Sequence, residues 1–240
     1  MVEEITLQGL GLSLLPAAIV IGIMLYWSAG GSTALYATAR MLIQLLLIGY
    51  VLVYIFEAQQ PQIIGAVLVV MLLFASWIAI RPVARKQPHL FRNALIAISV
   101  SGVLVLALVS QVVIGVEPWF NPRYVVPLAG MVFAGAMNSV SLAAERLEAE
   151  TARQVPASEA RRIALQAALI PIINSLFAVG LVALPGMMTG QILSGISPLI
   201  AAKYQIVVMS MLFGVSGISA AMYLALHTRS LARSRLPVAE

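Results

Sequence analysis

The sequence contains no cysteine, and only 10% of its 240 residues are charged. Without cysteine the chain has no disulfides, no thiolate metal ligands and no catalytic thiolate. Aspartate is absent as well, so all nine acidic residues are glutamates. Soluble domains carry about 25% charged residues, and the low charge therefore excludes an ordinary soluble enzyme.

Apolar residues, by contrast, make up 61% of the chain. They form seven runs of about 20 residues, each long enough to cross a hydrocarbon core about 30 Å thick. Because backbone groups in lipid must be paired within a segment, each run predicts a helix. The expected fold is an all-α membrane protein with seven transmembrane helices, forming one permease domain over residues 1–240. The runs are Ile5–Trp27, Ala34–Phe56, Gln62–Ile80, Ala94–Val116, Val125–Ala144, Ile163–Leu184 and Leu199–Leu226.

The positions of the basic residues predict the orientation, because cytoplasmic segments carry an excess of Lys and Arg. They accumulate in the third loop, the fifth loop and the C-terminal tail, whereas the fourth loop has only Arg123 and the N-terminus has Glu3 and Glu4. We therefore expect the N-terminus outside and the C-terminus in the cytoplasm. Topology also explains the net charge of +5, so no nucleic-acid partner is expected. The basic residues concerned are Arg81, Arg85, Lys86, Arg92, Arg146, Arg153, Arg161, Arg162, Arg229, Arg233 and Arg235.

Several kinds of energy-converting chemistry are missing from the sequence. It has no Gly-rich phosphate loop ending in Gly-Lys-Ser/Thr, which a nucleotide-binding motor requires. Every glutamate lies in a loop or at a helix end, and His89 and His227 lie at the predicted cytoplasmic boundary, so proton coupling is not indicated. No motif of an intramembrane hydrolase is present. We expect a transport protein rather than an enzyme, with no cofactor bound by this chain and with energy supplied by a partner.

The fifth loop is the most highly charged segment of the chain. From Glu145 to Arg162 it reads ERLEAETARQVPASEARR, with four glutamates and four arginines. A mixed-charge segment between two membrane helices fits docking into a cleft on a soluble partner, because exposed charges set register and specificity. The alternative is a solvated turn whose charges only fix the topology. The candidate coupling residues are Glu145, Arg146, Glu148, Arg153, Glu159 and Arg162.

A few polar residues interrupt the apolar runs. Arg40 and Gln44 are four residues apart in the second run and share a helix face, where Arg40 either serves the pathway or snorkels to the interface. Asn138 ends a stripe of small residues that suits close helix packing. Asn174 follows Pro171, which predicts a kinked sixth helix. All three polar sites, Arg40 with Gln44, Asn138 and Asn174, are candidates for the transport pathway.

The segment from Pro185 to Pro198 is uncharged and rich in glycine, although it lies in an exterior loop by the predicted topology. Its Gly and Pro residues disfavour a regular lipid-facing helix, so we expect a re-entrant or gate segment that lines a cavity. Its two methionines offer thioether sulfur to a soft metal, but Met is also common filler, and the identity of any metal stays open. The gate candidates are Pro185, Gly186, Met187, Met188, Thr189, Gly190 and Gln191.

Three groups of residues resemble a known family. They are Arg40-x3-Gln44-Leu45, Pro127-Leu-Ala-Gly-Met131 with Met137-Asn138, and Leu184-Pro-Gly-Met-Met-Thr-Gly-Gln-Ile-Leu193 with Tyr204-Gln205. The chain resembles the FetB/YbbM family of ABC-transporter permeases through nearly its whole length. The resemblance implies the membrane half of an exporter in the cell membrane, driven by ATP and Mg²⁺ in a separate ATPase subunit. It also implies a link to iron homeostasis, or to aluminium tolerance as in plant relatives.

Two segments depart from the family pattern. The fifth helix has Gly135-Ala-Met-Asn138 where relatives tend to have Gly-Asn-Ser-Met-Asn, so one polar side chain is missing. The cytoplasmic loop reads Thr151-Ala-Arg-Gln-Val-Pro-Ala157 where relatives tend to have a Leu-Ala-Leu-Gly-Ala run. Both departures fall where the resemblance places cargo and ATPase contacts.

Two other functions remain open from the sequence. A stand-alone secondary carrier or channel is favoured by the re-entrant-like segment and disfavoured by the lack of titratable groups within the membrane. The third possible function is that of a membrane scaffold that transports nothing. For the permease, we expect a homodimer around a shared pathway, since a transporter of this type needs two permease halves.

Overall fold

A computed structural model of the chain describes residues 6–57, 60–84 and 88–234, with side chains as far as Thr228. These residues are helical apart from short turns and one isolated bridge between Val179 and Ala183. The helices are α1 (Leu7–Ser13), α2 (Leu15–Tyr26), α3 (Gly31–Glu57), α4 (Pro61–Ala79), α5 (Pro88–Ala107) with a π-helical end (Leu108–Val113), α6 (Pro122–Ala152), α7 (Ala157–Ala178), α8 (Gly186–Leu193) and α9 (Pro198–Ser234).

Six helical segments of the described chain are long and apolar enough to cross a membrane. Together with the absence of β-strands from the described residues, they confirm an all-α membrane architecture. The start of the first predicted run at Ile5, and the charges of Glu3, Glu4, Arg85, Lys86 and Arg235, lie outside the described residues. The six segments are Leu7–Tyr26, Gly31–Glu57, Pro61–Ala79, Pro88–Val113, Pro122–Ala152 and Pro198–Thr228.

The sixth predicted run, Ile163–Leu184, is the one that is not among these segments. Its helix, α7, ends at Ala178 instead of Leu184, so the predicted end is wrong by six residues. Gly180, with φ of +82°, turns the chain, and Gly180 N–H donates to the carbonyl of Ala183 at 3.0 Å. Residues 179–184 are thus a tight turn built from apolar side chains, which hydropathy does not distinguish from a helix.

Residues 6–57 form one compact unit, in which α2 and α3 make a helical hairpin. The Thr6 hydroxyl caps α1 by accepting from Gly9 N–H at 3.1 Å. Gly30, with φ of +78°, makes the turn, and Gly31 begins α3 against Leu25 of α2. A Cβ on Gly31 would lie 2.7 Å from the backbone nitrogen of Leu25, so only glycine fits this approach.

The close approach at Gly31 gives a stability prediction. Gly31→Ala is expected to destabilise the chain by about 1–2 kcal/mol, because the methyl group must displace backbone rather than a flexible side chain. Gly22→Ala is the matched control, since nothing lies within 4 Å of a Cβ at Gly22 of α2. The measurement is the thermal unfolding midpoint of each variant in detergent. Equal midpoints for the two variants would contradict the close approach.

The remaining residues form a second compact unit whose centre is α6. This helix packs against α4, α5, α7 and α9, and its buried face consists mainly of Val, Ala and Leu side chains. Small residues allow close crossings: a Cβ on Gly102 of α5 would lie 2.9 Å from Cε1 of Phe133. Helix packing in membranes depends on such small residues because lipid removes the hydrophobic driving force between helices.

Helix α7 packs on α6 and α9 through a cluster of alanines that we call the alanine seam. Ala160, Ala164 and Ala168 follow at intervals of four residues and therefore lie on one face of α7. All three are almost completely buried. The alanine seam as a whole comprises Ala143 and Leu147 of α6, Ala160, Ala164 and Ala168 of α7, and Ala220 and Leu224 of α9.

Candidate functional site

The charged segment 145–162, which we call the elbow, is a helical hairpin rather than an extended loop. Helix α6 continues to Ala152 and α7 begins at Ala157, so only residues 153–156 connect them. Gln154 adopts the left-handed conformation with φ of +61°, and Val155 N–H donates to the carbonyl of Glu150 at 3.2 Å. This bond satisfies a carbonyl at the end of α6 and closes the turn.

Glu150 is the buried acidic residue of the elbow. Its side chain is only 5% exposed, and its Oε1 lies 2.7 Å from Nη2 of Arg146 and 3.6 Å from Nη1 of Arg153. Arg153 itself is 69% exposed at the tip of the hairpin. The arrangement therefore buries a carboxylate and leaves a guanidinium at the surface.

The outer side of the elbow carries a surface ion pair, between Glu159 Oε1 and Arg162 Nη2 at 2.6 Å. The hydrogen bond from Arg162 lowers the pKa of the Glu159 carboxylate. The pair therefore persists to a lower pH than the pKa of an ordinary glutamate and is lost as the pH falls through the lowered pKa. Both side chains are solvated, so the pair orients the first turn of α7 more than it stabilises the fold.

Glu148, one of the predicted coupling residues, is half-buried and contacts other elements of the fold. Its Oε2 accepts a hydrogen bond from Ala84 N–H at 2.9 Å, which ties the segment before α5 to α6. Glu148 also lies within electrostatic range of Tyr223 and His227 on α9. His227 stacks between His89 and Tyr223, with ring centroids 5.6 and 5.8 Å away. The sequence marked the two histidines only as boundary residues and gave no sign of this stack.

At the other end of α6, a cavity of about 400 Å³ lies between α6, α8 and α9, and we call it the α8 pocket. Two of the predicted gate residues line it, Met187 and Gln191 of α8. The side-chain oxygen of Gln191 is shut off from solvent and has no hydrogen-bond partner among the described residues. The lining consists of Ile114, Arg123, Tyr124, Pro127, Leu128, Met131, Met187, Gln191, Ile196, Tyr204, Val207 and Val208.

The predicted gate segment contains a short regular helix, α8, which packs against α9. Pro185 stands at its N-cap and Gly195, with φ of +88°, follows its end. Thr189 donates its hydroxyl to the carbonyl of Pro185 at 3.2 Å and does not line the pocket. The other gate candidates, Gly186, Met188 and Gly190, do not line the pocket.

The remaining pathway candidates are not among the residues that line the α8 pocket. Asn138 and Asn174 are exposed on α6 and α7. In the unit of residues 6–57, the Gln44 amide, oriented so that its oxygen accepts, bonds Arg40 Nε at 3.1 Å and Nη2 at 3.2 Å. Glu145 is exposed on the last turns of α6. Among the described residues, His and Glu side chains form no group of three or more that is placed to hold a metal ion.

A protein family designated UPF0014, described as an uncharacterised protein family, matches residues 7–232. The chain belongs to the UPF0014 family. A UPF0014 membrane protein of Synechocystis, slr1647, is 37% identical over 215 residues, covering 82% of each chain. A protein of Escherichia coli named probable iron export permease protein FetB is 32% identical over 216 residues, covering 84% of this chain and 82% of its own.

Rice has a further relative, the UPF0014 membrane protein STAR2, which is 37% identical over 202 residues and covers 77% of this chain and 69% of its own. No solved structure matches the UPF0014 chain significantly. The resemblance to the FetB family is thereby confirmed, and the chain is a multi-pass membrane protein. Its relatives are named as permease or membrane proteins, which indicates a transport subunit rather than an enzyme.

Proposed function

We propose that this UPF0014 chain is the permease subunit of an ABC-type exporter, driven by a separate cytoplasmic ATPase subunit that docks on the elbow. The observation that carries the proposal is the elbow itself, a helical hairpin whose arginines reach solvent while its two helices pack together in the buried alanine seam. A relative named as a probable iron export permease supports a metal, iron in particular, as the cargo.

The proposed topology has seven spans, with the N-terminus outside and the C-terminus in the cytoplasm. It adds α7 to the six long apolar segments, because α7 is flanked by the elbow at one end and by the α8 segment at the other. The basic residues of the elbow then face the cytoplasm, as the excess of Lys and Arg requires. Two such permeases form a homodimer in the lipid bilayer around one pathway.

The proposed mechanism uses α7 to connect the two sites. Closure of the ATPase subunit on ATP moves the elbow, and α7 transmits the movement along the alanine seam to residues 179–198 and the α8 pocket. Alanine side chains have no rotamers to interlock, so a helix face of this kind allows small sliding movements. The route fits the placement of the elbow and the α8 pocket at opposite ends of α6.

The docking proposal predicts the outcome of co-purification from the native membrane in mild detergent. A stoichiometric ATPase subunit is expected with the tagged chain, with hydrolysis that responds to added metal salts. Charge reversal at Arg161 and Arg162 is expected to lower its recovery by about tenfold or more, because reversed charges at an interface are strongly unfavourable. Arg161 is exposed, and the surface pair of Arg162 contributes little to the fold.

The matched control is Arg123→Glu with Lys203→Glu, which reverses two charges at the far end of α6 and near the start of α9. This control is expected to leave recovery unchanged. If as much ATPase subunit co-purifies with the elbow variant as with the control, the proposal that the subunit docks at the elbow is wrong. Flux through liposomes that hold the chain alone, without nucleotide, would instead support the stand-alone carrier or channel, for which the folded-back α8 is the favouring observation.

A further inference from the structure

We infer that the α8 pocket binds an anionic phospholipid of the surrounding bilayer, with an acyl chain in the cavity and the headgroup phosphate on Arg123. The inference goes beyond the proposed function and does not depend on it, since a lipid site needs neither an ATPase subunit nor a cargo. Three features of the pocket lead to this ligand: its apolar lining, the position of its charge along α6 and the lack of an ion-pair partner for that charge.

The lining of the α8 pocket is almost entirely apolar. Apart from Arg123, Gln191 and two tyrosines, it consists of aliphatic, proline and methionine side chains. The Gln191 oxygen is closed to solvent, so it is not offered to a ligand in the open cavity. A small polar ligand would find no hydrogen-bond partner along most of this wall and would lose its hydration there. A hydrocarbon chain has no such cost, and a cavity of about 400 Å³ gives it room.

The order of the lining residues along α6 matches the order of groups in a phospholipid. Arg123 lies in the first turn of α6, at the edge of the membrane span, and Pro127 and Met131 follow one and two turns deeper. At a rise of about 1.5 Å per residue, Met131 is about 12 Å further along the helix than Arg123. Helix α9 adds Val207 from its third turn. The charge is therefore at the edge of the span, and the apolar wall extends from it toward the centre.

Arg123 carries a charge that has no ion-pair partner among the described side chains. In the proposed topology it lies on the outer side, where the excess of Lys and Arg in cytoplasmic segments does not account for it. Its exposed guanidinium offers N–H donors in a planar fork that suits phosphate oxygens. Basic pockets between membrane helices bind anionic headgroups by such contacts. Tyr124 and Tyr204 add amphipathic rings of the kind that lie at headgroup level.

A second open cavity of the same unit serves as an internal control. This cavity, which we call the α4 groove, has a volume of about 340 Å³ and is lined mainly by apolar side chains, among them Leu68, Leu72, Val103 and Phe133. None of its lining residues is charged. The α4 groove therefore has room for an acyl chain but no group that distinguishes one headgroup charge from another. A preference for anionic lipid is expected at the α8 pocket and not at the α4 groove.

The test uses the full chain, with any co-purifying subunit, in phosphatidylcholine vesicles that contain a photoactivatable lipid. Two probes are compared, phosphatidylglycerol and phosphatidylcholine, each with a diazirine in the same acyl chain, and labelled peptides are mapped by mass spectrometry. In the α8 pocket the anionic probe is expected to label residues 127–131 and 207–208 about fivefold more than the zwitterionic probe, the factor for one basic residue beside an anionic lipid. In the α4 groove the two probes are expected to label equally.

Variants assign the preference to the pocket. Arg123→Gln is expected to remove the roughly fivefold preference at the α8 pocket and to leave labelling of the α4 groove unchanged. Lys203→Gln is the matched control and is expected to keep the preference, since this exposed cation precedes Tyr204 but does not line the pocket. Met131→Trp puts a larger ring into the apolar wall and is expected to reduce labelling of residues 207–208 by both probes. Size-exclusion profiles confirm that each variant is folded.

A soluble competitor separates a lipid from a free anion. Excess unlabelled phosphatidylglycerol is expected to suppress labelling of the pocket, whereas excess glycerol 3-phosphate, a headgroup phosphate without acyl chains, is expected to have no effect. Four outcomes overturn the inference: no labelling of the pocket, equal labelling by the two probes, an anionic preference that survives Arg123→Gln, or suppression by glycerol 3-phosphate. The last of these assigns Arg123 to a small soluble anion.

Discussion

Ala164→Phe is expected to destabilise the chain by about 3 kcal/mol or more, because it forces a ring into the middle of the alanine seam. Ala164 is completely buried in the alanine seam, where α7 packs on α6 and α9. Added volume in a packed core forces strained rotamers and backbone shifts, at a typical cost of about 1–3 kcal/mol for smaller additions. The measurement is chemical denaturation of the purified chain in detergent.

Ala157→Phe is the matched control for this change. It makes the same replacement at the exposed first residue of α7, where no packed neighbour must move. We expect its denaturation midpoint to be close to that of the unaltered chain. If Ala164→Phe is equally well tolerated, α7 does not pack closely on α6 and α9, and the proposed transmission along α7 loses its basis.

The combined variant Arg146→Met with Arg153→Met is expected to lower the free energy of unfolding by about 3–5 kcal/mol. This is the range for removing the partner of a buried charge. The variant leaves the Glu150 carboxylate, which is 5% exposed, without either of its cations. Methionine keeps much of the length and apolar stem of arginine, so the loss reports the charges rather than the packing. The measurement is the same denaturation in detergent.

A rescue variant shows whether such a loss of stability comes from the unpaired charge or from the changed side-chain packing. Adding Glu150→Gln to the methionine pair removes the stranded charge and is expected to restore most of the lost stability. Glu150→Gln alone is expected to have a smaller effect than the methionine pair, because both arginines reach solvent. A triple variant no more stable than the double would show that side-chain packing, not charge, holds the elbow.

Most of the helices were predictable from the sequence for a direct physical reason. Long uncharged apolar runs have to pair their backbone groups internally in lipid, and the helix is the structure that does so. Helix ends outside the lipid were less predictable. The fifth run was expected to end at Ala144, but α6 continues to Ala152, because the charged residues after Ala144 are good helix formers and Glu150 pairs within the helix.

The candidate site was only partly predictable. The composition of the segment 185–198 indicated a cavity-lining element, and Met187 and Gln191 do line the α8 pocket. Arg123 and Tyr124 were missed, because they lie far from α8 in the sequence and packing alone brings them together, and Tyr204 was noted only as part of the family motif. One available signal was that Arg123 is the only basic residue in the fourth loop, where orientation does not explain it.

The early end of α7 at Ala178 has a consequence for the surrounding bilayer. From Ile163, which follows the last elbow arginine, to Ala178 the helix rises about 24 Å. This is shorter than a typical hydrocarbon thickness of about 30 Å. In the proposed seven-span topology, lipid next to α7 thins, or the helix draws its polar ends inward, at a modest free-energy cost per ångström of mismatch. In that topology acyl-chain length acts on the helix that we propose as the connection between the elbow and residues 179–198.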